Sequence, residues 1–120
     1  MFKFNVPKKH FVSDYHTKAT TWMLPSKLRD ELDKQAKKLG WNSQTALISL
    51  ILDQFLNNYK DASSLPSYDL KYNKGEEVRT PYRLDPALID QLNTWSKKNG
   101  YKAKHVVTVA IDMFVSQYSK

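Results

Sequence analysis

The sequence predicts a mainly α fold with a short antiparallel β-ribbon, built from two strand–helix–helix units that pair within one chain as an intramolecular pseudo-dimer. Three observations carry this expectation. The chain repeats itself at an offset of 60 residues, each copy opens on a β-type run followed by two apolar-striped segments, and each copy turns at a Lys-Lys-x-Gly-aromatic corner. Residues 20–60 and 80–120 align without a gap, with identities at Thr20/Thr80, Leu24/Leu84, Leu28/Leu88, Asp30/Asp90, Leu32/Leu92, Lys37/Lys97, Lys38/Lys98, Gly40/Gly100, Ile51/Ile111 and Lys60/Lys120. A repeated supersecondary unit stacks on its copy because one unit cannot bury its own apolar face. A single strand also leaves its backbone hydrogen-bonding groups unpaired. Two strands in a ribbon over four helices remove both problems.

The elements follow in order. Residues 1–17 form a basic N-terminal arm, 18–60 the first unit, 61–77 a linker and 78–120 the second unit. The first strand is expected over Lys18-Ala19-Thr20-Thr21-Trp22-Met23-Leu24, stopped by Pro25. The second is expected over Glu77-Val78-Arg79-Thr80-Pro81-Tyr82-Arg83-Leu84, stopped by Asp85-Pro86. Alternation puts Thr20, Trp22 and Leu24, with Thr80, Tyr82 and Leu84, on the face to bury. Ala19, Thr21 and Met23, with Arg79, Pro81 and Arg83, then point outward. Pro81 has no N–H, so a lost ladder bond or a bulge is expected there.

A helix follows each strand. Asp85-Pro86 is a good N-cap and first position, and Pro25-Ser26 a weaker start. Leu28, Leu32, Ala36 and Leu39 recur at helical spacing, as do Leu88, Leu92 and Trp95. Lys37-Lys38 and Lys97-Lys98 fall in the last turn, where cations complement the helix dipole. Gly40 and Gly100 stop these helices in the left-handed C′ position. Asn42-Ser43 can cap the next helix of the first unit, whereas Lys102-Ala103-Lys104 opens its counterpart without an obvious cap. Leu47, Leu50, Ile51 and Phe55, widened by Ile48 and Leu52, line the first of these helices. Val107, Ala110, Ile111, Phe114, Val115 and Tyr118 line the second. Stripes this broad place both helices at the centre of the core. Trp22, Phe55, Tyr82, Trp95 and Phe114 are expected in that core.

Composition bounds the function. Nineteen Lys and Arg against twelve Asp and Glu give a net charge of +7 over 120 residues, and 41% of residues are hydrophobic. The excess is +3 in residues 1–19, +2 in the first repeat and +3 in the second, while 61–79 carry −1. A basic, globular composition suggests a polyanionic partner. There is no cysteine, which excludes disulfides, thiolate metal sites and a Cys nucleophile and fits a reducing cytoplasm. No apolar run is long enough to span a bilayer and no secretory h-region opens the chain. His10, His16 and His105 lack metal-ligand spacing, and no phosphate-binding Gly-rich loop or nucleophile elbow occurs. No catalytic residue, metal site or cofactor is therefore expected.

The order strand, helix, Gly corner, helix resembles the ribbon-helix-helix family of Arc/MetJ/CopG-type DNA-binding proteins. The residues that carry the resemblance are Trp22-Met23-Leu24-Pro25-x-x-Leu28 with Gly40-Trp41-Asn42-Ser43-Gln44-Thr45, and Tyr82-Arg83-Leu84-Asp85-x-x-Leu88 with Gly100-Tyr101-Lys102. The tandem arrangement is similar to that of TraY-like conjugation accessory proteins. The resemblance implies a β-ribbon in the DNA major groove, with Ala19, Thr21, Met23, Arg79 and Arg83 as base readers. It implies phosphate contacts at the starts of the later helices, from Asn42, Ser43 and Gln44 and from Lys102, Ala103 and Lys104. Because the two strands differ outwardly, the expected target is a non-palindromic double-stranded DNA site. A transcriptional repressor and a plasmid-conjugation (relaxosome) accessory protein both fit. Further copies of the chain on adjacent sites and a relaxase are the candidate protein partners.

In the arm, Lys3, Lys8 and Lys9 can contact the DNA backbone or an adjacent groove. The same stretch can equally be a disordered terminus or a short extra strand over Phe2–Val6. Three other readings compete, of which a metabolite-sensing repressor finds no room for a sensing domain. A protein–protein interaction module would use the helical hairpins and show no salt-dependent DNA affinity. An antitoxin would need a toxin-binding tail after its last helix, and the sequence runs only to Lys120.

Overall fold

The Thr- and aromatic-rich runs form strands where the alternation predicts them. A computed structural model describes residues 4, 18–41, 44–59 and 76–118. Strand β1 (Lys18–Pro25) leads into helices α1 (Ser26–Lys38) and α2 (Gln44–Asn58). Strand β2 (Glu77–Leu84) leads into helices α3 (Pro86–Asn99) and α4 (Ala103–Tyr118). Among the described residues the architecture is mainly helical, with one two-stranded antiparallel sheet. The expected arm apart from Phe4, the expected cap Asn42-Ser43 and the linker as far as residue 75 lie outside the described residues. The second strand begins at Glu77, the last residue of the expected linker.

The strands pair from Lys18 opposite Leu84 to Pro25 opposite Glu77, with Thr21 opposite Pro81 near the middle. The register runs unbroken through Pro81, so the bulge considered there does not form. Both strands of a two-stranded ribbon are edge strands. Half of their N–H groups point away from the partner, and a proline at such a position leaves the alignment intact.

The inner face of the ribbon roofs the core. Trp22, Leu24, Thr80, Tyr82 and Leu84 are buried, and the Trp22 and Tyr82 rings lie 6.0 Å apart. Below them sit Leu28 and Leu32 from α1, Leu88 and Leu92 from α3, Leu47, Ile48, Ile51, Leu52 and Phe55 from α2, and Val107, Ala110, Ile111, Phe114 and Val115 from α4. Each buried Leu, Ile, Val or Phe among these stabilises the fold by about 1.5–3 kcal/mol relative to exposure. Helix α4 packs against β1 and all three other helices, as its broad apolar stripe requires. Leu39 and Leu50 are only partly buried at its margin.

The two corners close alike. Gly40 and Gly100 take φ of 80° and 75°, the left-handed region that costs other L-residues about 1–2 kcal/mol. The amide of Trp41 then donates to the carbonyl of Ala36, and that of Tyr101 to the carbonyl of Ser96, each at 2.9 Å. These six-to-one bonds satisfy carbonyls that the helix ends leave without partners. At the start of α3 the Asp85 carboxylate accepts from the Ala87 amide at 2.9 Å, as the Asp-Pro signal predicts. From the arm, Phe4 is buried against α4. Its amide donates to Gln117 Oε1 at 2.9 Å, its carbonyl accepts from Gln117 Nε2 at 3.0 Å, and its ring meets Phe114 edge-on at 5.8 Å.

Candidate nucleic-acid interface

Alternation along the ribbon turns one set of side chains away from the core. Ala19, Thr21, Met23, Arg79, Pro81 and Arg83 are all exposed on the outer face. The register sets Arg83 opposite Ala19, Pro81 opposite Thr21 and Arg79 opposite Met23. The face thus carries both arginines on β2 and short or apolar side chains on β1. Met23 is 42% exposed, one of the few large apolar side chains among the described residues that face solvent. Burying it here was never an option for the chain, because the neighbours Trp22 and Leu24 already claim the inner face.

The helix starts expected to hold phosphate are partly engaged with carboxylates. At α2, the Gln44 side-chain amide donates to Asp33 Oδ1 on α1 at 3.0 Å. Lys37 pairs with the same carboxylate at 3.0 Å, one turn along. Gln44 and Lys37 together hold the Asp33 carboxyl below its ordinary value. At α4, Lys104 Nζ lies 3.3 Å from Glu77 Oε1 at the start of β2. This ion pair sets the first turn of α4 beside one end of the ribbon. Lys102 is exposed next to it, and Ala103 is half-buried. Asn42 and Ser43, and the arm residues Lys3, Lys8 and Lys9, lie outside the described residues.

The corner before α4 holds a feature that the repeat pattern hides. Tyr101 is 40% exposed, whereas its counterpart Trp41 is 4% exposed. Tyr101 stacks between Trp95, at 6.1 Å and 20°, and the exposed His105, at 5.5 Å and 18°. The position aligned with Trp95 is Gln35, so each half buries one large ring at this corner and they choose different ones. Trp95 is fixed further by its indole N–H, which donates to the Tyr59 carbonyl at 2.7 Å.

Several features escaped the sequence reading. Glu77 falls where the expected linker meets the expected second strand, and nothing local marks it as the partner of a lysine 27 residues away. Asp33 sits among charges on an exposed helix face and gives no sign that it will reach Gln44. Tyr101 matches Trp41 in kind, so only the Gln35/Trp95 difference signals its exposure. Among the described residues no group of three His, Cys, Asp or Glu side chains could hold a metal ion. None of the described helices is long and apolar enough to cross a membrane. Comparison with protein-family models, with curated proteins and with solved structures finds no match to this chain.

Proposed function

We propose that the chain is a tandem ribbon-helix-helix protein that binds double-stranded DNA, laying its two-stranded ribbon in the major groove. One chain supplies both units and acts as its own pseudo-dimer. The observation that carries the reading is the ribbon itself. Residues 60 apart in the repeat, Thr21 and Pro81, face each other in the register, so the pairs Ala19/Arg83 and Met23/Arg79 exchange under the same offset. A two-fold arrangement of the repeat is what a pseudo-dimer requires, and its outer face is exposed and cationic. B-DNA admits a two-stranded ribbon in its major groove, where arginine pairs with guanine and apolar groups meet the thymine methyl. Lys102 and Lys104, with the first amides of α4, are suited to a flanking phosphate.

The role is non-catalytic, in a repressor or a conjugation accessory protein acting on DNA in the cytoplasm. The test is fluorescence anisotropy with random and genomic duplexes across a salt series. Binding whose logarithm falls linearly with log salt, by about 0.9 per phosphate contacted, supports the reading. Absent or salt-insensitive binding overturns it and favours a protein-interaction module. Lys104→Ala is expected to weaken all duplexes alike and to lower the slope by about one.

A further inference from the structure

The two arginines of the ribbon are placed so that they ask for a particular spacing of bases. Arg79 and Arg83 lie on the same face of the same strand, four residues apart. At about 3.4 Å per residue their Cα atoms are separated by roughly 13–14 Å. That distance covers about four base-pair steps along the axis of B-DNA, and about three along the inclined groove. The strands of a ribbon are about 4.8 Å apart, within a groove about 12 Å wide. Strand β2 is therefore displaced towards one DNA backbone over its whole length, and both arginines go with it. The opposite positions on β1 are Ala19 and Met23, with no charge and no bidentate donor.

Resting on the DNA-binding reading above, we propose that this chain recognises two guanines on one DNA strand, three to four base pairs apart, through Arg83 and Arg79. Such a site has no two-fold symmetry. A ribbon made of two identical strands would place its arginines once on each side of the dyad and read an inverted repeat. Here the register puts one arginine on each side of the dyad but both on the same strand, which only a chain with unlike halves can do. Between them Pro81 and Thr21 add one hydroxyl and no fork of donors. Met23, across from Arg79, faces the opposite DNA strand and fits a thymine methyl there.

The experiment is selection from a random duplex library, using the full chain and the variants Arg79→Ala, Arg83→Ala and Arg83→Gln, each first shown by thermal melting to stay folded. The native chain is expected to enrich two same-strand guanines at this spacing. Each alanine variant should lose preference at one guanine and keep the other, by about 5- to 150-fold per site. Arg83→Gln should exchange its guanine for adenine, because glutamine offers the paired donor and acceptor that adenine takes. An enriched inverted repeat, guanines on opposite strands, or an unchanged motif in both alanine variants overturns the proposal while DNA binding stands. Steep salt-dependent binding without any sequence preference does the same. Loss of all salt-dependent binding in the native chain overturns the DNA-binding reading itself, and this inference with it.

Discussion

On the proposed DNA-binding reading, removing the carboxylate of Glu77 is expected to strengthen binding. Glu77 lies 3.3 Å from Lys104, one of the two lysines proposed above to meet a phosphate at the start of α4. A phosphate oxygen taken up by that ammonium would sit about 2.8 Å from it, and so within about 6 Å of the carboxylate. Two like charges at 6 Å repel by about 0.7 kcal/mol at the permittivity of water and by about 2.8 kcal/mol at an effective permittivity near 20. The side chains of Lys104 and Glu77 are 43% and 46% exposed, which places the true value nearer the lower figure. Glu77→Gln should therefore raise affinity by about 3- to 10-fold at low salt. The gain should shrink as the Debye length falls from about 10 Å at 0.1 M to about 3 Å at 1 M.

The assay is anisotropy titration of Glu77→Gln, Lys104→Ala and the double variant against one duplex. Because the ion pair is exposed, its loss should change folding stability by less than about 1 kcal/mol, so affinity is read on a folded chain. If Glu77 acts through Lys104, the double variant should show a smaller gain over Lys104→Ala than Glu77→Gln shows over the native chain. Unchanged or weaker binding by Glu77→Gln would refute the reasoning, since it would mean that no phosphate approaches this corner.

Three further outcomes follow from the packing. The Tyr82 hydroxyl is buried with no hydrogen-bond partner among the described residues, and burial pushes its pKa up to about 12. Tyr82→Phe should leave urea stability at neutral pH unchanged or raise it by about 1 kcal/mol. It should also remove this residue's loss of stability as pH rises from its ordinary value of 10.0 towards 12, and a larger destabilisation would show that the hydroxyl has a partner. Gly100→Ala meets no neighbour within 4 Å, so its cost is that of the left-handed backbone alone, about 1 kcal/mol by denaturant midpoint, with Gly100→Asn costing less. Asp33, held below its ordinary value of 3.8 by Gln44 and Lys37, contributes stability that is present above that pH and lost as pH falls through its lowered value. Asp33→Asn should flatten the acid limb of the stability curve below about pH 4, measured by circular dichroism across pH.

Much of this fold was legible because it depends on periodicity and on backbone chemistry. Alternation separated Trp22 and Leu24 from Thr21 and Met23, and the burial pattern of β1 follows it from Thr21 to Leu24, with Thr20 only half-buried. Gly100 and Asp85 were readable because a left-handed turn and an orphan amide each select few residue types. What was not legible depends on which elements meet. Lys104 is expected from the sequence as a phosphate contact, and nothing in its neighbourhood signals that β2 brings Glu77 to it. Asp112, aligned with Leu52, is fully buried in α4 and accepts from Ser116 at 3.4 Å, which no helical period foretells. Phe4 lies over a hundred positions from the Gln117 amide that clasps it, so no local pattern could connect them. Of the two outcomes expected at Pro81, the bulge does not form, because both strands of a two-stranded ribbon are edges that tolerate a proline within an unbroken register.

The identities between the two halves fall both in the shared core and on the exposed ends of α1 and α3, but not on the outer face of the ribbon. Leu24 and Leu84, Leu28 and Leu88, Leu32 and Leu92, and Ile51 and Ile111 are identical across the offset and lie in one core. A volume change at one of these positions must be absorbed by its neighbours, which belong to the other half as well. The outer ribbon positions carry no such constraint, and there Ala19 stands against Arg79 and Met23 against Arg83. In an assembly of identical chains every such change would appear twice, on both sides of the axis. Within one chain each change appears once, so a surface can differ between halves while the packing beneath it stays matched. A ribbon with both arginines on one strand is accessible by single substitutions only under that condition. The covalent joining of the halves is thus what frees the exposed face to become asymmetric.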